Sequence, residues 1–343
     1  MQSRDKYFFM GRSDREGSHR VLRGGTPVAP GPHKKEFFPV DCFVATTGLC
    51  NNLKRVQKKM SVNESVIQSS DVLPVFPHVS QREMAWQDIK QGLLLGHVWL
   101  MLAWQDIRLR YRRSILGPFW ITLSMAITVY TMGFLYGHLF HMDLQQYYPY
   151  LVAGMLTWAL MSSAITELTE TFIGADGLLK QIKLPYTLYI HRTIMRNMII
   201  FFHNLLVMIP IYFIFHEGAK INLNTLLLIP GLFIIYLNAV IFGLILAMLG
   251  ARYRDITQII KSLVQIIFFV TPIMWSPTIL KEKYQLFVIL NPVYSYIELI
   301  RAPLMGKTPA LYTFGITGFM TLIGLLIAAK LFIPYRSRII YWL

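Results

Sequence analysis

The sequence predicts an all-α integral membrane protein: six transmembrane helices, an N-terminal amphipathic interfacial helix, and a short re-entrant pair of outer helices before the last span. Three observations carry that expectation. Only 15% of the residues are charged and 54% are hydrophobic, whereas a soluble domain has about 25% charged residues. Six uncharged runs are each long enough to cross a hydrocarbon core of about 30 Å. Lys and Arg gather at alternate ends of those runs, as they do where charge orients helices in a bilayer.

In chain order, residues 1–59 come first. They hold Gly-Gly, Pro-Gly-Pro and basic pairs without a sustained apolar period, so a disordered basic leader is expected. No apolar core of secretory-signal type follows the early basic residues, and Met60 offers an internal start that would leave the leader outside the native protein. A polar linker is expected at 60–83. The net charge of +15 does not make a nucleic-acid groove, because much of it lies in this leader and the rest sits at span ends. Cys42 and Cys50 have no zinc-like spacing and read as a silent reduced pair.

The interfacial helix is expected at 84–112. There Ala-Trp-Gln-Asp-Ile recurs at 85–89 and 103–107, a shift of five full helical turns. One helix through both copies would put Trp86 and Trp104 on one face, and Asp88 with Asp106. The apolar stretch between them suits a helix lying at headgroup depth.

The uncharged runs follow at 114–142, 144–166, 197–216, 221–251, 262–280 and 308–329. A shorter run, 284–297, is broken by Asn291-Pro292 and fits a re-entrant pair within an outer gate at 278–306. Thr271-Pro272 and Ser276-Pro277 predict a kinked or unwound end to the fifth span. The arginines at 108, 110, 112 and 113, then Lys180, Lys183, Arg252, Arg254, Arg336 and Arg338, mark one side of the membrane. By the positive-inside rule that side is the cytoplasm, and both termini are expected there.

Chemistry of its own is not expected of this chain. His138 and His141 are spaced for one helix face, but only Asp143 accompanies them, and interfacial histidines are the plainer reading. Gly306-Lys307-Thr308 resembles the end of a phosphate-binding loop, yet Arg301 stands where that loop needs glycine. No catalytic or metal cluster appears. Glu167, Glu170, Arg192 and Arg196 sit at span ends, so no ion-coupling site lies at mid-membrane and energy must come from elsewhere. Glu298 and Arg301 are spaced for a helical ion pair. Aromatics at span ends read first as belt anchors. For Trp120, Tyr130, Tyr136, Tyr148 and Trp158 the alternative is a lumen in which rings stack on sugar, with Tyr130 and Trp158 the deepest.

Several segments in order resemble one family. The run Trp104–Trp120 (WQDIRLRYRRSILGPFW), Tyr148–Trp158 (YPYLVAGMLTW), Leu178–Pro185 (LLKQIKLP), Ala251–Ile256 (ARYRDI) and Leu290–Tyr294 (LNPVY) are similar to permease subunits of type-2 ABC exporters. The nearest branch exports O-antigen, capsule or teichoic acid, and the resemblance covers roughly 80–343. It implies a homodimer with two separate ATPase subunits, which bind ATP and Mg, and no cofactor on this chain. It also implies a gate helix at about 84–112 and a coupling helix at about 172–184, with Glu170, Asp176, Lys180 and Lys183 as contacts to the ATPase. The cargo it implies is a lipid-linked polysaccharide crossing the bacterial inner membrane, its pyrophosphate meeting Arg108, Arg110, Arg112 and Arg113. A related permease for a drug or small lipid, or a membrane transferase, is the alternative; the latter would need acid or His clusters.

Overall fold

A computed structural model describes residues 80–117, 119–277 and 282–343. The leader expected at 1–59 and nearly all of the linker expected at 60–83 lie outside the described residues. Among the described residues every regular element is helical.

Two helices replace the single interfacial helix expected at 84–112. α1 (Gln81–Leu94) starts with a capping box in which Ser80 and Glu83 satisfy each other's backbone N–H. It ends at Leu95, and α2 (Gly96–Arg110) restarts at a glycine. An exposed link, 111–117, leads to α3 (Phe119–Leu139). Gly117 turns that link with φ +56, a conformation suited to glycine.

α4 (Leu144–Thr169) is the centre of the bundle and packs against five of the other long or outer helices. Asp143 caps it, accepting from the Gln145 N–H at 3.0 Å. Its hydroxyls return to its own carbonyls, as Thr157 does to Ala153 at 2.8 Å and Ser163 to Ala159 at 2.6 Å, so they cost little in an apolar setting. Two short helices follow, α5 (Thr171–Gly174) and α6 (Asp176–Gln181), where one coupling helix was expected at 172–184. Phe172 and Leu179 are their buried anchors.

The third span is built in two pieces, α7 (Tyr186–Asn204) and α8 (Met208–Ile214), joined by one 3-10 turn. Pro210 falls in the first turn of α8, where a missing N–H is tolerated. α9 (Leu228–Arg252) crosses α4 closely: a Cβ on Gly250 would fall on the Thr169 carbonyl. Small residues at such crossings are how helices gain packing without a hydrophobic drive from water.

Five stretches are long and apolar enough to span a membrane, among them Leu223–Arg252 and Leu311–Trp342. The fifth of the six expected spans is the difference. The run 262–280 yields α10 (Ile256–Val270), only 15 residues, or about 22 Å of helix, short of a full crossing. Its end is set by Pro272, which holds Thr271 extended at ψ 135. The segment to residue 277 is irregular, and then come α11 (Glu282–Ile289) and α12 (Pro292–Leu304), the two short helices expected there. α13 (Leu311–Tyr335) runs back along α9 and touches α1. A 3-10 turn and α14 (Ile339–Trp342) finish the chain.

Candidate functional site

Functional groups collect at the two ends of α4. At its C-terminal end, Glu167 takes three donors: Arg196 at 2.8 Å, Asn197 at 2.7 Å and Arg110 at 3.3 Å. Arg196 reaches on to Asp106 at 2.9 Å, and Arg192 grips Asp106 with two nitrogens, at 2.8 and 2.5 Å. α2, α4 and α7 are therefore tied by one chain of alternating charges. One turn beyond Glu167, Glu170 pairs with Lys261 of α10 at 2.7 Å. A cavity of about 230 Å³ opens here, walled by Arg110, Arg192, Arg196, Glu167 and Thr171. The Tyr189 hydroxyl is buried at its wall without a partner.

Asp88 belongs to the same end and is wholly buried. Its carboxylate accepts from the backbone N–H groups of Tyr186 and Thr187, at 3.1 and 3.0 Å, and so caps α7 from another helix. Arg336, after α13, completes it at 2.9 Å. Gly92 lets α1 come this close, since a Cβ there would overlap Thr187. The repeated Ala-Trp-Gln-Asp-Ile thus places two acids on α7: one caps its start and the other binds its arginines. Sequence reading placed Asp88 and Asp106 on one face but missed that both serve α7; the echo itself was the signal.

Along α4 runs an open groove of about 560 Å³ shared with α10. Trp158, Ser162, Ser163 and Thr166 face Lys261, Gln265 and Phe268 across it. Trp158 lies tilted on Phe268, ring centres 5.7 Å apart. Met155, Val264 and Phe269 complete a wall that is mostly apolar, and Ser163 and Thr166 turn their hydroxyls back to carbonyls of α4.

At the N-terminal end of α4, side chains hold the broken segment after α10. Tyr147 donates to the Met274 carbonyl at 3.0 Å, and Tyr150 to those of Pro272 and Trp275, both at 3.1 Å. Arg301 of α12, 1% exposed, donates to the Pro272 carbonyl at 3.0 Å and lies 4.0 Å from the Tyr150 ring centre. The expected pair with Glu298 forms, at 3.6 Å. Nearby, Tyr296 donates to Asn238 of α9 at 2.8 Å.

The residues singled out in the sequence are dispersed. Of the four arginines, Arg110 alone has an ion partner among the described residues; Arg108, Arg112 and Arg113 are exposed on and just after α2. Among the aromatics, Trp120 is 53% exposed, Tyr136 stacks on Phe140, and the Tyr130 hydroxyl donates to Val207 at 2.7 Å. Tyr148 is buried on Phe215, and Trp158 alone of the five opens on the groove. Asp176 and Lys180 pair with each other at 2.8 Å, and Lys183 is exposed. His138 bonds the Phe134 carbonyl, and among the described residues no three His, Cys, Asp or Glu side chains gather. Gly306, with φ +76, packs against the Lys220 carbonyl instead of forming a phosphate loop.

The described residues thus form a helical bundle with five membrane-length stretches, a charge-tied end, a groove along the central helix and a broken segment after α10. Residues 97–305 match the family described as ABC-2 type transporter, and the chain belongs to that family. It is a membrane permease and not an enzyme. It is similar to the O-antigen export system permease protein RfbA of Klebsiella pneumoniae, 24% identical over 257 residues, 71% of this chain and 96% of that one. RfbA of Myxococcus xanthus is 21% identical over 215 residues, 62% and 80% of the two chains. The polysialic acid transport protein KpsM of Escherichia coli is 22% identical over 239 residues, 68% and 90%.

Proposed function

We propose that this chain is the membrane-spanning subunit of an ATP-driven exporter that moves a lipid-linked polysaccharide across the bacterial inner membrane. The observation that carries the reading is membership of the ABC-2 type transporter family, with similar proteins named for O-antigen and polysialic acid export, and the groove between α4 and α10 offers Trp158 as a surface for a sugar ring. Two copies work with two ATPase subunits, which supply ATP and Mg. Both termini face the cytoplasm, and the arginine-rich end of α2 lies on that side.

In this mechanism Arg108, Arg110, Arg112 and Arg113 receive the pyrophosphate of the lipid carrier through charge-assisted hydrogen bonds. α5 and α6, with Glu170, Asp176, Lys180 and Lys183, take the push of the closing ATPase. Of the five aromatics Trp120, Tyr130, Tyr136, Tyr148 and Trp158, only Trp158 opens on the groove, and it is the side chain best placed for stacking on sugar.

Co-purification of the tagged chain with its ATPase, followed by ATP hydrolysis in nanodiscs, tests the reading. A polyprenyl-linked polysaccharide is expected to stimulate hydrolysis, and Arg110→Ala with Arg112→Ala to abolish that stimulation. Hydrolysis indifferent to glycan would shift the cargo to a drug or small lipid. Absence of any associated ATPase would overturn the assignment.

A further inference from the structure

α2 is held at two points of unequal strength. Four residues before its end, Asp106 lies between Arg192 and Arg196, with side-chain exposures of 14%, 25% and 17%. At its last residue, Arg110 meets Glu167 by one longer contact of 3.3 Å, and its side chain is 46% exposed. Beyond it the link 111–117 is exposed at most positions, carries Arg112 and Arg113, and turns at Gly117 with nothing within 4 Å of a Cβ there. Ile115, at its middle, is fully exposed. The link is anchored at both ends, by α2 and by α3, where the Phe119 and Trp120 N–H groups bond the Leu116 and Gly117 carbonyls, so freeing Arg110 lets it shift only between those ends.

Glu167 has an unequal division of labour too. One oxygen is committed to Arg196 and Asn197 and the other to Arg110 alone. Losing Arg110 therefore leaves the carboxylate still charge-paired on α7, so release is cheap on both sides. The same carboxylate stands one turn before α5, the start of the segment taken above to meet the ATPase.

We propose that Glu167 is a positioning residue that clasps Arg110 and thereby holds the end of α2, and the link 111–117 that follows it, at the arginine-walled cavity, until an anionic headgroup takes Arg110 from it. The last clause rests on the pyrophosphate reading given above; the clasp itself does not. Exposed pairs of this kind shift an equilibrium by only about two- to five-fold, which is what a clasp opened by a substrate needs.

The test is a distance distribution between spin labels at Ile115→Cys on the link and Gln87→Cys on α1, which Asp88 docks to α7. The full chain is used with its ATPase in nanodiscs, with Cys42 and Cys50 replaced by serine. Without added lipid, Glu167→Gln is expected to raise the long-distance population about two- to five-fold. Arg110→Gln, which leaves Arg196 and Asn197 their acceptor, is expected to give the same rise, and the double variant no more than either. Glu167→Asp is expected to recover part of the short population. Identical distributions in the unchanged chain and in both Gln variants would overturn the clasp. The expected response of the unchanged chain to nanodiscs doped with polyprenyl pyrophosphate is the same lengthening. A link freed by the Gln variants but unmoved by that lipid would uphold the clasp and overturn the pyrophosphate reading.

Discussion

The two ends of α4 are held by different kinds of contact. At the N-terminal end, Tyr147, Tyr150 and a buried Arg301 donate to backbone carbonyls that the break at Pro272 left without helical partners. At the C-terminal end, the outermost contacts are side-chain ion pairs, Arg110 with Glu167 and Lys261 with Glu170, all at least a quarter exposed or close to it. Backbone bonds with buried donors fix a geometry, because breaking one leaves an orphaned polar group. Exposed pairs exchange partners with water and ions at small cost. The first end is built to stay as it is and the second to rearrange.

The sharpest way to break that contrast is at Arg301. Arg301→Met keeps an unbranched chain of similar length but strips the Pro272 and Ile273 carbonyls of a donor and Glu298 of its ion partner, with an expected loss of about 3–5 kcal/mol. Thermal unfolding in detergent should show a much lower midpoint, and an unchanged midpoint would mean that the segment holds itself. Asp88→Ala separates burial from location, since Asp88 sits at the rearranging end but is wholly enclosed. About 2–4 kcal/mol is expected, from a buried Arg336 contact and two uncapped N–H groups, read by the same unfolding experiment.

Tyr150→Phe should cost less, about 1–2 kcal/mol, because the ring still lies under Arg301 while the hydroxyl's two acceptors lose a donor. Lys261→Ala is the smallest, at most about 1 kcal/mol for an exposed pair. Its effect should fade as salt rises from low to high concentration, since the Debye length shrinks from about 30 Å at 0.01 M to about 3 Å at 1 M. A salt-sensitive Arg301 variant alongside a salt-insensitive Lys261 variant would invert the comparison.

The legible part of the molecule was what local pattern controls. Charge-free runs located the membrane-crossing stretches, because the bilayer penalises charge wherever the chain crosses. The pair at Glu298 and Arg301 was legible because its spacing is helical. The length of the fifth run misled: 262–280 carries no charge, yet Pro272 ends the helix after Val270, and proline acts on geometry without touching hydropathy. Tyr147 and Tyr150 read as belt anchors because a tyrosine near a span end looks alike whether its hydroxyl meets water or a carbonyl 122 residues away. Glu167 and Asp106 were visible as acids at a helix end and in a repeat, but their arginine partners lie 29 and 86 residues on. Nothing in local spacing can announce such a partner. The groove was half legible: Trp158 was named, while Lys261, Gln265 and Phe268 were not, since α10 was read only as a span.

The bond between Asp88 and Arg336 joins positions 248 residues apart. During synthesis the first helices emerge long before the last one, so the acid that caps α7 has no cation beside it until the end of α13 arrives. A chain truncated before residue 336 would leave that enclosed carboxylate to two backbone N–H groups and the Thr187 hydroxyl, without the cation that pairs with it.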